Sequence, residues 1–274
     1  MPPAGFIYPA QHGAGKGQNT NRYLCVYLIM AITEQEPLQT LQPELGTNGF
    51  AVVPGIFTSQ EVAAILQEIE RADSLKDTFR KSVGLFAIRQ FLKEIPETRA
   101  LIFNARLKQL INRLFGSNYF VVKSIYFDKP AASNWFVSYH QDLTISVDRK
   151  AAVAGFGPWT VKQDQFAVQP PVPLLENIFT VRIHLDDTDA ANGALNVVPG
   201  SHRKGIYRPE NIDWAVEKEH TCCVPEGGIM IMQPLLLHSS GRTQNSRSRR
   251  VIHIEFSDRE LPNGLKWAER LAVL

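Results

Sequence analysis

His140 and Asp142 stand two residues apart in Trp135-Phe136-Val137-Ser138-Tyr139-His140-Gln141-Asp142, and His238 closes the apolar run Ile229 to Leu237. On a strand, residues i and i+2 project to the same face, so His140 and Asp142 point together and Gln141 points away. Two neutral imidazoles and one carboxylate hold a divalent metal on one side and leave the other side open. Such a set suits non-haem Fe(II), with three octahedral positions left for a bidentate co-substrate and O2. Taken alone, His-Gln-Asp also describes an exposed strand, and His238 also describes a satisfied core histidine. The joint reading rests on the placement of His238, at the end of a long apolar run and before Ser239-Ser240-Gly241, as at the mouth of a barrel.

An anion partner follows in sequence. Arg242, Arg247, Arg249 and Arg250 come after His238. A guanidinium clamps a carboxylate through two parallel hydrogen bonds. A dicarboxylate such as 2-oxoglutarate would chelate the metal at one end and need one such clamp at the other. Arg250 shares strand phase with Ile252, Ile254 and Phe256, while Arg249 shares phase with Val251, His253 and Glu255. Alternation by itself leaves both arginines open. The same ligand set also suits Zn2+ with an open position, as in a cupin-type hydrolase or isomerase. That reading gives no work to Arg249 or Ser240. A non-catalytic binding protein would have no need of the intact set.

The elements that must position these residues can be read in outline. The chain has 274 residues and 44% hydrophobic content, enough for a full core. With 29 basic and 27 acidic residues the net charge is +2, which gives no electrostatic case for nucleic acid. Three cysteines, Cys25, Cys222 and Cys223, make a poor disulfide framework and point to a reducing, cytoplasmic setting. Leu24 to Ile32 is apolar but too short to span a membrane. Residues 1–22 are rich in Gly, Pro, Gln and Asn and read as a disordered arm. Thr58 with Glu61 makes a capping box before a helix buried along Val62, Ile65, Leu66 and Ile69. A second helix is expected over Thr98 to Leu114. From Tyr119 onward the pattern turns to β, with Asn192-Gly193 as a hairpin signal and Ser146 to Asn177 as a long loop, expected to act as a lid. Two helices followed by many short strands imply an antiparallel barrel or jelly roll with helices outside.

Two further stretches carry a resemblance. Val181-Arg182-Ile183-His184-Leu185-Asp186-Asp187-Thr188-Asp189 and Asn192-Gly193-Ala194-Leu195-Asn196-Val197-Val198-Pro199-Gly200-Ser201-His202, with His140-Gln141-Asp142 and His238-Ser239-Ser240-Gly241, resemble the phytanoyl-CoA dioxygenase family over about residues 46–258. The resemblance implies a mainly β double-stranded β-helix (jelly roll, cupin-like) with flanking helices. It implies residues 1–34 as a disordered or non-native extension, and 35–274 as one dioxygenase domain with a lid near 146–177. His140, Asp142 and His238 would be the Fe(II) ligands. Arg249, eleven residues after His238, would hold 2-oxoglutarate, with Ser240 at a position that helps bind the same carboxylate. The implied reaction converts 2-oxoglutarate and O2 to succinate and CO2 while hydroxylating a C–H bond of a small molecule, with ascorbate as a candidate stimulant.

Arg182 departs from several family members, which carry an aromatic residue there. Pointing inward it would hold 2-oxoglutarate or an acidic substrate group; pointing outward it would be a surface residue. The presence of Asp142 favours hydroxylation over halogenation, for which the carboxylate is replaced by a small residue. Desaturation and ring formation need no different ligands. Gln141 and Trp159 are candidate substrate contacts, Lys162 and Gln163 weaker ones, and Trp135, Phe156 and Phe166 candidate pocket walls. His202 reads as part of a turn rather than as a ligand. The substrate and the oligomeric state are left open, and no nucleic acid or membrane partner is expected.

Overall fold

The computed structural model describes residues 36–72, 79–82, 85–131, 135–162 and 165–273. The expected N-terminal arm, Leu24 to Ile32, Cys25 and Gln163 lie outside these residues. Among the described residues the helices are α1 (Glu36–Asn48), α2 (Ser59–Arg71), α3 (Phe91–Glu94), α4 (Thr98–Ile102), α5 (Ala105–Phe115) and α6 (Val172–Asn177). The strands run β1 (Phe50–Val53), β2 (Phe79–Ser82), β3 (Leu85–Arg89), β4 (Phe120–Lys129), β5 (Val137–His140), β6 (Ile145–Val147), β7 (Trp159–Lys162), β8 (Gln165–Val168), β9 (Phe179–His184), β10 (Leu195–Val197), β11 (His220–Cys222), β12 (Ile229–Met232), β13 (His238–Ser240), β14 (Arg249–Ser257) and β15 (Leu271–Ala272).

A large sheet in the order β1-β12-β9-β14-β4-β3-β2, with β15 also on β4, faces a small sheet in the order β11-β10-β13-β5. All the pairings are antiparallel. This is the expected double-stranded β-helix with helices outside. Alternation along the large sheet sorts its side chains. Val181, Ile183, Ile229, Ile231, Ile252, Ile254 and Phe256 face the helices, in one cluster with Leu41 of α1, Val62 and Ile65 of α2 and Leu107 and Ile111 of α5. Met230 and Met232 face the small sheet, packed with Leu195, Val197 and Cys222. Both faces of β12 are therefore buried, which is why Ile-Met-Ile-Met shows no polar alternation.

Local chemistry sets the element ends. Thr58 Oγ1 accepts from the Glu61 amide at 3.2 Å, and the Glu61 carboxylate accepts from the Thr58 amide at 2.7 Å, completing the expected capping box. The helix expected over residues 98–114 is two helices. Asn104 breaks it by accepting the Leu107 amide at 2.9 Å, and its own amide reaches the Ile56 carbonyl at 3.1 Å. Helix α1, with Leu41 and Leu45 one turn apart on the core, was not anticipated. Gly227 holds φ +73° with its carbonyl accepting from the Phe57 amide; a Cβ there would lie 2.2 Å from the Phe57 carbonyl oxygen.

Two expectations fail. Asn192-Gly193 does not join a hairpin: β9 pairs within the large sheet and β10 within the small one, so the segment carries the chain between sheets. Asp189 accepts the Ala191 amide at 2.8 Å and the Asn192 side chain accepts the Asp189 amide at 2.8 Å, which folds the segment into a short 3-10 turn. Residues 146–177 are not one long loop either. They carry the three-stranded sheet β6-β8-β7 and α6, closed over a separate apolar cluster with Val147, Val168 and Leu175 at its centre. Among the described residues no helix is long and apolar enough to cross a membrane.

Candidate active site

The site lies between the two sheets. In the small sheet, His238 of β13 stands directly opposite His140 of β5, so their rings meet with centroids 4.2 Å apart. Asp142 follows the end of β5 and is held by its amide donating to the Pro234 carbonyl at 2.9 Å. His140 Nε2 lies 3.7 Å from one Asp142 oxygen and His238 Nε2 lies 3.8 Å from the other. The ligand atoms of the three residues all fall within 4.8 Å of one another.

Tautomers make this a ligand set. His140 Nδ1 sits 2.9 Å from the Ser138 carbonyl, and His238 Nδ1 sits 2.9 Å from the Leu236 carbonyl. A carbonyl only accepts, so each Nδ1 carries the proton and each Nε2 lone pair faces the shared centre. Burial pushes His238 down to about 4, against the pull of Asp142, so its imidazole is neutral near pH 7. Burial pushes Asp142 up, but His238, His253, Lys123 and His140 more than offset it and hold the carboxyl well below its ordinary range. Two neutral nitrogens and one carboxylate converging on an open cavity fit a divalent metal such as Fe(II). Asp142, His253 and Glu255 also come within 4.8 Å of one another. There, however, His253 Nε2 faces Glu255 at 3.1 Å and Nδ1 faces Arg182 at 3.1 Å, so neither nitrogen is available to a metal.

The opposite wall of the cavity, of about 220 Å3, comes from the large sheet and is cationic, with Arg182, Arg249 and Lys123 on it. Strand phase resolves the two arginines that alternation left open. Arg249 is buried on the cavity side, whereas Arg250 turns away and grips Asp186 with Nε at 2.9 Å and a terminal nitrogen at 2.6 Å. Arg249 donates to the Gly193 carbonyl, which also accepts from Ser240 Oγ at 3.0 Å, so the two predicted anion-binding residues converge on one point. Arg249 Nε has no hydrogen-bond partner among the described residues. Burial, with Arg182 nearby, pushes Arg249 down to about 9. Lys129, which the sequence did not single out, joins them: its ammonium donates to the Gly241 carbonyl at 2.5 Å and is pushed down to about 8 by burial and by Arg249. Gly193, at φ +82°, makes room, because a Cβ there would lie 2.8 Å from both the Gly241 oxygen and Lys129 Nζ.

The other expected contacts divide. Arg182 points inward, on the cavity wall. Trp135 lines the cavity beside Phe127, Ile125 and Val137. Gln141 faces away from the cavity: its amide donates to the Gly205 and Leu235 carbonyls at 2.9 and 2.6 Å and accepts from the Tyr207 amide at 2.8 Å. Strand alternation forces this once His140 and Asp142 face the centre. Trp159, with Phe156 and Phe166, packs against the apolar cluster under β6-β8-β7 instead of the cavity. His202 is buried against Gly49, away from the metal ligands. Cys222 is buried and Cys223 half-buried.

The sequence profile described as Phytanoyl-CoA dioxygenase (PhyH) matches residues 45–251, a span that holds His140, Asp142, His238, Ser240 and Arg249. The chain belongs to the phytanoyl-CoA dioxygenase family. It is similar to an ectoine dioxygenase of Bordetella parapertussis, 26% identical over 58% of this chain and 47% of that protein; the chain thus matches about half the length of that relative. It is also similar to a probable alpha-ketoglutarate-dependent hypophosphite dioxygenase of Stutzerimonas stutzeri, 22% identical over 79% of this chain and 77% of that one. Among solved structures, the non-heme alpha ketoglutarate-dependent epimerase SnoN from nogalamycin biosynthesis superposes with a TM-score of 0.60 at 19% identity, covering 81% of this chain and 80% of that one. The carbocyclase SnoK does so with a TM-score of 0.59 at 15% identity, covering 80% and 83%. At these identities the structural likeness is one of fold.

Proposed function

We propose that this protein is a dioxygenase that hydroxylates a C–H bond of a small organic substrate, consuming O2 and 2-oxoglutarate and releasing succinate and CO2. One oxygen atom enters the substrate and the other enters succinate. The observation that carries the reading is a three-residue metal-binding face beside an anion corner that Arg249 of the large sheet makes with Ser240 of the small one. His140, Asp142 and His238 would hold Fe(II), and the metal supplies the oxygen activation and redox chemistry that side chains lack. The residues themselves bind and orient. The Ser138 and Leu236 carbonyls fix the two ligand rings. Arg249 offers charge-assisted bonds to the remote carboxylate of 2-oxoglutarate, with Ser240 and the Lys129 ammonium beside it. Trp135, Phe127, Ile125 and Val137 limit the water around the reacting carbon.

Asp142 supplies the carboxylate ligand, which favours hydroxylation over halide transfer. A zinc hydrolase reading leaves the Arg249–Ser240 corner idle. Relatives named as an epimerase and a carbocyclase make the outcome itself the thing to measure. The experiment is succinate formation by protein supplied with Fe(II), ascorbate and 2-oxoglutarate, screened over candidate small molecules, with mass spectrometry of the product. A gain of one oxygen atom supports hydroxylation; loss of two hydrogens, or no change in mass, refutes it. Asp142→Ala is expected to abolish iron-dependent succinate formation, and wild-type turnover by that variant would remove Asp142 from the ligand set.

A further inference from the structure

Arg182 is buried, 7% exposed, on the cavity wall. Its only hydrogen-bond partner among the described residues is the Nδ1 atom of His253, at 3.1 Å, and its Nε has none. Because the guanidinium can only donate, His253 Nδ1 accepts and the ring proton sits on Nε2, which donates to Glu255 at 3.1 Å. Glu255 in turn accepts from Lys123 Nζ at 2.8 Å. The row Lys123–Glu255–His253–Arg182 therefore spends the Glu255 charge on Lys123 and presents Arg182 with a neutral ring. Its guanidinium is fixed in place, and among the described residues no carboxylate lies within ion-pair distance of it, although Asp142 acts on its charge from further off. A buried charge left so is costly unless something pairs it.

The charges of the cavity wall point the same way. Arg182, Arg249 and Lys123 face Asp142 and Glu255, and the Lys129 ammonium stands beside Arg249, so positive charge is in excess. A divalent metal and the dianion 2-oxoglutarate cancel each other, so the excess persists in the loaded site. Position separates the two arginines. Arg182 lies across from His253 in the β9–β14 register, and Arg249 lies four residues further along β14, roughly 13 Å of strand. His253 comes within 4.8 Å of Asp142, so Arg182 belongs to the level of the metal ligands and Arg249 to the far end.

We propose that Arg182 is a substrate-specificity residue, and that the substrate is a small organic anion whose carboxylate or phospho group docks on Arg182 beside the metal centre. The inference rests on the functional reading above, since that reading assigns Arg249 to the co-substrate. His253, Glu255 and Lys123 are positioning residues that hold the guanidinium in the pocket.

The test uses the anaerobic protein with Fe(II) and saturating 2-oxoglutarate, whose visible chelate absorption reports co-substrate binding separately. Calorimetric titration then compares benzoate and phenylphosphonate with benzamide, a neutral molecule of similar shape. Wild-type protein is expected to bind the better anion about tenfold or more tighter than benzamide. Arg182→Gln is expected to erase that preference, and Arg182→Lys to keep part of it, while the affinity for 2-oxoglutarate changes by less than about threefold. The tighter of the two anions identifies the group. Equal binding of all three probes by the wild type overturns the proposal without any variant. So does a preference that survives Arg182→Gln, or loss of the chelate absorption in both variants, which would give Arg182 to the co-substrate. If wild-type protein forms no chelate absorption, the functional reading fails by itself. The anion preference and its dependence on Arg182, measured without 2-oxoglutarate, still decide the subsite.

Discussion

Replacing Arg249 and Arg250 in parallel separates two neighbouring cations by what each faces. Arg249→Met keeps the buried stem but removes the guanidinium that, with Ser240, defines the anion corner. A hydrogen bond to a charged group contributes about 1.5–3 kcal/mol, which is roughly tenfold to a hundredfold in the dissociation constant of 2-oxoglutarate. The fold itself should not suffer. Among the described residues Arg249 has no carboxylate partner and its Nε no hydrogen bond, and Arg182 repels it, so removing its charge leaves the ligand-free protein equally stable or more so. Arg250→Met has the opposite profile. It breaks the two-pronged contact with Asp186 on the helix-facing side, at a cost of about 1 kcal/mol for a half-buried pair, with 2-oxoglutarate affinity unchanged. The assay is anaerobic titration of the Fe(II) protein with 2-oxoglutarate, alongside thermal unfolding without ligand. Equal weakening of 2-oxoglutarate binding by both variants, or a larger effect from Arg250→Met, would refute the assignment.

Other consequences follow from features away from the metal ligands. Gly227→Ala forces a Cβ into the Phe57 carbonyl at a left-handed φ and should cost about 3 kcal/mol, a fall in Tm of roughly 5–10 °C; an unchanged Tm would contradict the close approach of β12 to the start of α2. Thr58→Ala removes one half of the capping box and should cost about 1 kcal/mol in denaturant unfolding, whereas Thr58→Ser should cost little. Glu269 accepts from the Ser124 amide and hydroxyl, at 2.8 and 2.5 Å, yet burial raises its carboxyl above 4.5. The folded state then holds its proton to higher pH than the unfolded state, so this group favours folding at low pH and loses that contribution as pH rises above about 4.5. Glu269→Gln should flatten that part of the stability profile, and an unchanged slope would show that Glu269 does not titrate there.

The residues most legible in the sequence are those whose roles depend on strand alternation. His140 and Asp142 face one way and Gln141 the other because period two leaves no choice, and the same rule puts Arg249 with His253 and Glu255. What alternation cannot say is which side a whole strand presents; the side of Arg182 is set by the place of β9 between β12 and β14. Gln141 and Trp159 lie off the cavity for related reasons. A polar residue beside two ligands and an aromatic residue in a long loop look functional, but the first is consumed by three backbone groups and the second by an apolar cluster. The Asn192-Gly193 signal describes a turn correctly in local terms; which strands it joins is decided by pairing with residues 220–222 and 238–240, far away in sequence. Lys129 left no trace, because a lysine at the end of a strand is ordinarily solvated. Only its neighbours Gly193 and Gly241 make it part of a site.

Metal ligands on one sheet and anion-binding cations on the other turn the gap between the sheets into a gauge. Facing sheets stand about 10 Å apart, and side chains in between set the interval. Here the spacers are Met230 and Met232 of the large sheet against Leu195, Val197 and Cys222 of the small one. The length of diacid that can bridge metal and guanidinium is therefore written partly in hydrophobic residues that never touch it. Trimming or enlarging those spacers offers a route to change co-substrate chain length while every polar residue of the site stays as it is.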